Sequence, residues 1–338
     1  MRRPTQTDVA RKAGVSRATV SYVLNNQNGQ KIPISSETRQ RVLGVIAELG
    51  YEPDARAQSL RGGSTKTIGV LFPILQNPFF WQLLYGISSE LETAGYSLHL
   101  SQSPVDPDQE IHSKRALAQY RVDGFILLGD LLSTELSRQL NKFGRPIVSI
   151  SSVDSEMDHV LHSYADGTRA LMNLLFELGH RRIGFVYGVA GRIQALDRLL
   201  VYRQVLTEYG LPVDDSLVPE CGDTLGDGYQ AAYRLLSRPD RPTAVLAIND
   251  LLGVAVIRAA IDLGLRIPDD VSIASFDDIP FASYTVPRLT TVSGQTEQSG
   301  RDAVKLLLQR LNQPDIPVQV ITAKPHLIIR ESTGPAPF

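Results

Sequence analysis

Three side chains near the start of the chain have the types and the spacing that read the edges of DNA bases. Arg17, Ala18 and Tyr22 fall on one short helix that we predict over residues 17–24. An arginine fork pairs with guanine or reaches a phosphate, and a small alanine admits the methyl group of thymine. The pattern indicates that this helix contacts double-stranded DNA.

Two further helices must position these side chains. Apolar residues at helical spacing predict helices over residues 7–13 and 36–49, on either side of the first. Gly14, which tolerates a positive φ, separates the first two helices, and Ser16 is a suitable N-cap for the second. This order is the helix-turn-helix plan, in which the second helix enters the major groove. A generic three-helix bundle would show the same pattern.

Charge is distributed unevenly along the 338 residues. Residues 1–63 carry ten basic and five acidic side chains, a net charge of +5, which leaves −7 for the rest of a chain whose total is −2. A basic segment on an acidic body favours a polyanionic partner for that segment alone.

Residues 51–64 are predicted to form a hinge. Pro53 ends the preceding helix, Asp54 can cap a new one, and Gly62 and Gly63 end it after two turns. A helix this short is marginal in isolation, so we expect it to order only against a partner. A plain flexible linker is the alternative.

From residue 65 onward, apolar runs alternate with helical stretches, which implies parallel sheets covered on both faces. Two such sheets fit the length, and ligands of open α/β sheets bind at the carboxyl ends of strands, here in a cleft between two lobes. The runs read as buried strands over residues 68–72, 97–100, 125–128, 147–150, 183–187, 244–248 and 271–276.

Several sequence patterns that this chain lacks bear on its cellular compartment and on whether it is an enzyme. It has no secretory signal, no apolar run of the roughly 20 residues that a membrane helix needs, and one cysteine, Cys221, which together favour the cytoplasm and no membrane partner. It has no HExxH, GxSxG or GxxxxGK[ST] pattern. We therefore predict a protein that is not an enzyme, with no cofactor and no metal site. A cytoplasmic small-molecule receptor and a sugar or nucleoside hydrolase on a similar α/β core are the alternatives.

Residues 7–25 resemble the headpiece signature of the LacI/GalR family of bacterial repressors, with the motif Thr-Asp-Val-Ala-x-x-Ala-Gly-Val-Ser-x-x-Thr-Val-Ser-x-Val-Leu-Asn. Residues 50–60 resemble the hinge of that family, and stretches such as 77–80, 178–184 and 275–280 resemble its periplasmic-binding-protein-like core. The resemblance implies an α/β fold with a two-lobed core of parallel sheets, preceded by a small all-α helix-turn-helix domain. The implied domains are a DNA-binding headpiece (1–50), a hinge (51–64) and an effector-binding and dimerisation domain (65–338), with a first lobe over about 65–163 and 293–323 and a second over about 164–292 and 324–338.

The resemblance also implies partners: a homodimer on a pseudo-palindromic DNA operator, and a small-molecule effector, with repression as the family default. In the family, hinge helices of two subunits pair on the operator, and a leucine, here Leu60, pries open a base step from the minor groove. The implied DNA contacts are Thr7, Ser16, Arg17, Ala18, Thr19, Ser21, Tyr22, Asn25, Ala57 and Leu60. The implied effector contacts are Phe79, Phe80, Arg198, Asn249 and Asp277.

Several family positions have changed in this chain. The segment 26–34 is longer than the usual loop, and Asp54 replaces the usual Asn of the hinge. His162 and Ser163 replace an Asp-Asn pair, and Ser151 stands where an aspartate is frequent. A sugar or sugar derivative stays the favoured effector, but the loss of acids that grip sugar hydroxyls would also suit an acidic or phosphorylated ligand.

The hinge gives a first prediction. Leu60→Ala is expected to weaken operator binding and to reduce DNA bending, while effector binding stays intact, because only the wedge is removed. Gel-shift titration and a bending assay with the full-length protein measure both effects. Unchanged operator affinity would rule out the wedge.

Overall fold

The computed structural model describes residues 4–25, 34–51, 64–72, 77–102, 122–129, 144–150, 157–188 and 192–337. The chain divides into two compact units, residues 1–65 and 66–338. The hinge residues Ala57 and Leu60, the segment 26–33 and the side chain of Asn25 lie outside the described residues. Within the described ranges, no helix combines the length and the apolar composition needed to cross a membrane.

The smaller unit contains the three predicted helices, α1 (Gln6–Ala13), α2 (Arg17–Asn25) and α3 (Ser36–Leu49). Thr5 starts α1 with a capping box, in which its hydroxyl accepts from the backbone N–H of Asp8 while the Asp8 carboxylate accepts from the Thr5 N–H. Gly14 ends this helix in the left-handed conformation, at φ 66°. A small apolar core holds the three helices together and includes Val9, Ala13, Val20, Val23 and Val42.

The larger unit contains two six-stranded sheets. The first has the order β11-β5-β4-β3-β1-β2 and is parallel throughout, and the second has the order β12-β10-β9-β8-β6-β7, with only the β10–β12 pair antiparallel. The strands are β1 (Thr67–Phe72), β2 (Ser97–Gln102), β3 (Gly124–Leu128), β4 (Ile147–Ile150), β5 (Asp158–His162), β6 (Ile183–Gly188), β7 (Glu220–Cys221), β8 (Ala244–Ala247), β9 (Ser272–Phe276), β10 (Thr290–Ser293), β11 (Val320–Ala323) and β12 (His326–Ile328).

Helices lie between the described strands: α4 (Pro78–Thr93), α5 (Tyr164–Glu177), α6 (Arg192–Glu208), α7 (Leu225–Leu236), α8 (Asp250–Asp262) and α9 (Thr296–Asn312). The chain passes from one sheet to the other after β5, after β10 and after β11. This architecture confirms the predicted fold class. All seven predicted strands are present, but β5, β7, β10, β11 and β12 were missed because they are short or carry polar residues.

Each sheet has its own apolar core, and one aromatic side chain contacts both. The core of the first sheet includes Ile68, Val70 and Ile126, and the core of the second includes Phe185 and Phe276. Phe79, near the start of α4, is partly buried against both cores. The start of α4 is therefore placed where the two sheets meet.

Helices α4 and α9 pack closely against each other, and two glycines allow this approach. A Cβ atom at Gly86 would lie 2.0 Å from the carbonyl oxygen of Glu297, and one at Gly300 would lie 2.4 Å from that of Leu83. Backbone atoms cannot yield as a flexible side chain can, so both positions require glycine for this close approach.

We predict that Gly86→Ala destabilises the larger unit by about 2–3 kcal/mol, because the new methyl group overlaps the α9 backbone. Gly226→Ala on α7 is the control, since its Cβ would meet only the Thr224 hydroxyl at 3.7 Å. Urea denaturation followed by circular dichroism measures both free energies of unfolding. Equal stability of the Gly86→Ala variant and the wild type would contradict the close approach.

Candidate functional site

Four of the ten predicted DNA contacts are exposed on α2 or directly before it. Ser16, Arg17, Ala18 and Tyr22 are exposed. The Ser16 hydroxyl accepts from the Thr19 N–H at 3.1 Å and lies 2.9 Å from the Thr19 hydroxyl, which fixes the start of the helix. The apolar side of α2 is buried, so its polar side is presented to a partner.

Two of the remaining predicted contacts of this unit fall among the described side chains. Thr7 is exposed on α1, and Ser21 is half-buried on α2. Their roles stay predictions, as do those of Asn25, Ala57 and Leu60.

In the larger unit, Arg198 of α6 is the central charged side chain of the cleft between the sheets. It is 7% exposed, and its Nη1 donates to the carbonyl of Ile248 at 2.7 Å. Its guanidinium carbon lies 4.3 Å from the ring centre of Tyr164 and 5.2 Å from that of Phe276. Aromatic faces attract a cation, so the two rings stabilise a guanidinium that has been removed from water.

Asp277 is held on the same tyrosine. The Tyr164 hydroxyl donates to Oδ1 of Asp277 at 3.0 Å. Burial raises the pKa of Asp277 to about 7, although Arg198 and the tyrosine hydrogen bond both act to lower it. The Asp277 carboxyl group therefore changes charge near neutral pH. A ligand hydroxyl that donates to this group would favour its ionised form.

A second buried carboxylate fixes the backbone around Asp277. Asp250 accepts from the hydroxyls of Ser275 and Thr291 and from the backbone N–H of Ile279, at 2.5, 2.6 and 2.8 Å. Burial and the neighbouring Asp277 raise the pKa of Asp250 to about 8, against these three donors. Its contacts are all to the protein, which indicates a structural role.

Asn249 precedes Asp250 and caps α8, since its Oδ1 accepts from the Leu252 N–H at 2.9 Å. This contact supports a capping role for Asn249. Its side chain is only half-buried, beside the Ile248 carbonyl that Arg198 contacts.

Aromatic rings line the side of the cleft that belongs to the first sheet. Phe79 contacts Phe80 edge to face at 5.4 Å and His162 at 5.8 Å between ring centres. Nε2 of His162 lies 2.9 Å from the hydroxyl of Ser299. Burial, and secondarily Arg198, lower the pKa of His162 to about 4, so this ring is neutral at pH 7.

The structure thus brings the five predicted effector contacts to one cleft, at the carboxyl ends of strands from both sheets. It adds Tyr164 and Ser299, which the sequence reasoning did not select, and Thr296 lies three residues before Ser299 on α9. Thr296 is 4% exposed, and its hydroxyl has no hydrogen-bond partner within the described residues. A threonine and a serine three residues apart share one side of α9, a periodicity that could have indicated a polar face.

A helix-turn-helix unit with an exposed second helix, followed by a two-sheet domain with a polar cleft, defines a ligand-responsive DNA-binding regulator. The family model for bacterial regulatory proteins of the lacI family matches residues 5–54. A model of a periplasmic binding protein-like domain matches residues 172–333.

Comparison with known proteins extends these matches over almost the whole chain. It is 33% identical over 334 residues to the HTH-type transcriptional repressor PurR of Haemophilus influenzae (strain PittEE), covering 97% of this chain and 98% of that protein. Among solved structures, a transcriptional regulator CelR–cellobiose complex has a TM-score of 0.72 at 30% identity, and a Lac repressor dimer bound to operator and the anti-inducer ONPF has 0.86 at 27%. Both superpositions cover 98% of this chain and 100% of the other.

The chain belongs to the LacI family of bacterial regulatory proteins. It is a DNA-binding transcriptional regulator, which confirms the prediction from the headpiece motif. The proteins that it resembles over its full length are regulators of transcription.

The raised pKa of Asp277 makes a prediction about stability. The unfolded chain releases this proton near pH 4 and the folded protein near pH 7, so wild-type stability falls as the pH rises between these values. Asp277→Asn, which still accepts from Tyr164, is expected to be more stable than the wild type by up to about 4 kcal/mol at pH 8.

Urea denaturation at pH 8 and pH 5 measures this difference, which should shrink at the lower pH. Asp315→Asn, at an exposed position, is the control and should change little at either pH. A variant that is less stable than the wild type at pH 8 would show that the Asp277 carboxylate is favourable in the folded protein.

Proposed function

We propose that this regulator binds a neutral sugar or sugar derivative in the cleft between the two sheets. The observation that carries the proposal is that Arg198 and Asp277 both contact Tyr164. The Arg198 guanidinium lies over the face of the ring, and the Asp277 carboxylate accepts a hydrogen bond from its hydroxyl. A guanidinium fork donates and a carboxylate accepts, so neighbouring hydroxyls of one sugar can satisfy both. The cellobiose complex of the similar regulator CelR supports this class of ligand.

The surrounding residues supply the other parts of a sugar site. Phe79 and Phe80 offer apolar ring surface for the faces of a pyranose or furanose. Thr296 has an unpartnered buried hydroxyl that a sugar hydroxyl would satisfy. The Oδ1 atom of Asn249 accepts the hydrogen bond that caps α8, so we propose that Asn249 contributes to the site through its NH₂ group.

The effector controls DNA binding by a homodimer, in our proposal, on a pseudo-palindromic operator with one headpiece for each half-site. The Lac repressor, to which 98% of this chain is similar, binds its operator as a dimer. We assign the headpiece to residues 1–50, the hinge to 51–64 and the effector-binding and dimerisation domain to 65–338. Coupling between the two sites is reciprocal and typically amounts to about 1–3 kcal/mol.

We further propose that the protein acts in the cytoplasm by binding alone, without catalysis. The similar proteins that support this proposal are regulators of transcription. Incubation with glycosides and ribosides followed by product analysis tests this point, and release of a free sugar or base would overturn it.

Two experiments with the full-length protein test the proposal in sequence. Selection from random duplex DNA should recover a palindrome, and no enrichment, with or without candidate effectors, would contradict operator binding. A thermal-shift panel of monosaccharides, disaccharides and their phosphates, cellobiose included, then tests the ligand class. Preference for sugar phosphates over the parent sugars would overturn the neutral ligand in favour of an anionic one.

We expect Arg198→Lys to weaken binding of the selected sugar about tenfold or more, because lysine keeps the charge but loses the planar fork and its stacking on Tyr164. Arg203→Lys, on the same helix and paired with exposed Asp215, is the matched control and should retain affinity. Isothermal titration calorimetry measures both. Equal affinity for the two variants would remove Arg198 from the site.

A further inference from the structure

Gln82 joins the two sheets beside the proposed effector site. It lies on α4 three residues after Phe79, and therefore on the same side of the helix, facing the second sheet. Its side-chain Nε2 donates to the backbone carbonyl of Asp278 at 3.0 Å. Asp278 follows β9 of the second sheet and is the next residue after Asp277. This hydrogen bond therefore joins α4, on the first sheet, to the turn that carries the Asp277 side chain.

That turn has a strained backbone. Asp277 has φ 108° and Asp278 has φ 54°, in the region that side chains other than glycine rarely adopt. The second sheet anchors the turn through Arg330, whose Nη2 lies 2.6 Å from Oδ1 of Asp278, and through the Thr291 hydroxyl at 3.4 Å from the Asp278 N–H. Strain of this kind persists only where surrounding contacts hold it, and Gln82 provides such a contact from the first lobe.

The Gln82 side chain is only half satisfied. Its Oε1 is buried and has no hydrogen-bond partner among the described residues, while its Nε2 is bonded to Asp278. A buried acceptor without a donor costs free energy, which offsets part of what the Nε2 bond contributes. The net contribution of the Gln82 side chain to the contact between the sheets is therefore small.

Displacement of Gln82 would not stay local. Gly86, one turn further along α4, lies against the α9 backbone so closely that the two helices must shift together. A change at Gln82 is therefore carried to the pair of helices that covers the first sheet.

We propose that Gln82 is a positioning residue that couples occupancy of the effector site to the contact between the two lobes. The proposal rests on the proposed role of Asp277. A ligand bound to Asp277 fixes the turn and presents the Asp278 carbonyl to Gln82. By linkage, the Gln82 hydrogen bond favours the turn that binds the ligand.

Two variants separate this role from simple packing. Gln82→Met keeps the length of the side chain but cannot donate a hydrogen bond. Gln82→Glu keeps the shape, cannot donate when ionised, and can donate again when protonated. Gln298→Met on α9 is the matched control, since Gln298 is exposed and bonds only Asp302 of its own helix among the described contacts.

The measurement is the distance between the lobes in the full-length protein without ligand. Nitroxide labels on Glu92→Cys of α4 and Gln230→Cys of α7, both exposed positions, in a Cys221→Ser background report it by double electron–electron resonance. Labelled chains are diluted into unlabelled protein so that each distance lies within one chain. The wild type is measured at pH 5 and pH 8, because Asp277 titrates between these values.

We expect Gln82→Met to raise the ratio of open to closed distances about fivefold, which corresponds to about 1 kcal/mol for one hydrogen bond. Gln82→Glu should also be open at pH 8, where its carboxylate is ionised and cannot donate, after subtraction of the wild-type change. Asp277, the Asp278–Arg330 pair and the Glu297–Arg301 pair are retained in the variants. Distances like those of the control, for Gln82→Met or for Gln82→Glu at pH 8, would overturn the proposal.

A second arm tests the coupling with the sugar that gives the largest thermal shift on the wild type. Gln82→Met should bind that sugar about fivefold more weakly, by the same linkage. Unchanged affinity together with an opened structure would overturn the coupling. If no sugar in the panel binds, the proposed ligand class fails, and the ligand-free distances still decide whether Gln82 holds the lobes together.

Discussion

The cleft of the larger unit depends on the burial of one cation. A guanidinium is stable away from water only where its charge and its donors are met, and Arg198 meets the carbonyl of Ile248 and the faces of Tyr164 and Phe276. The ring of Tyr164 is thereby fixed, and its hydroxyl needs an acceptor, which Asp277 supplies. One buried charge thus orders side chains from three elements of the second lobe.

The residues around this centre divide into those whose polar groups are fully engaged and those whose groups are not. Asp250 accepts three hydrogen bonds and serves to hold the backbone at the end of β9. Asp277 sits on a strained turn with a raised pKa, and Thr296 and Gln82 each carry a buried oxygen that has no partner in the described part of the chain. Such groups reduce the stability of the empty cleft. A ligand that supplies their partners relieves that cost, and this difference in free energy is what allows a ligand to shift the structure.

The headpiece follows a different principle. Its core is small, and the apolar side of α2 is buried in that core. The side chains on the other side of α2 stay exposed, and these are the side chains that function requires. The polar groups of the cleft are buried, whereas those of the headpiece are exposed to water. A polyanion is met by exposed cations at long range, and a small polar ligand by buried groups at close range.

The sequence alone determined the class of protein, the three helices of the smaller unit and seven of the strands. Val20 and Val23 of α2 and Val42 and Val45 of α3 recur at helical spacing, and runs such as 125–128 are apolar throughout, so both signals can be read from short stretches of sequence. It also placed Arg198 and Asp277 in the cleft, through motifs of the family. Five strands were beyond it, because β5 buries polar residues such as Asp158 and His162 and β10 consists largely of threonine and serine, while β7, β11 and β12 are short.

Only the tertiary structure decided what these side chains do to one another. The partners of Tyr164 and Ser299, which are Asp277 and His162, lie more than one hundred residues away in the chain, so no local pattern identifies these contacts. The pKa values of His162 and Asp277 follow from burial and from Arg198, and Asn249 proved to cap a helix. Hydrogen bonds and desolvation depend on which groups the folded chain brings within a few ångströms, and a one-dimensional pattern does not contain that information.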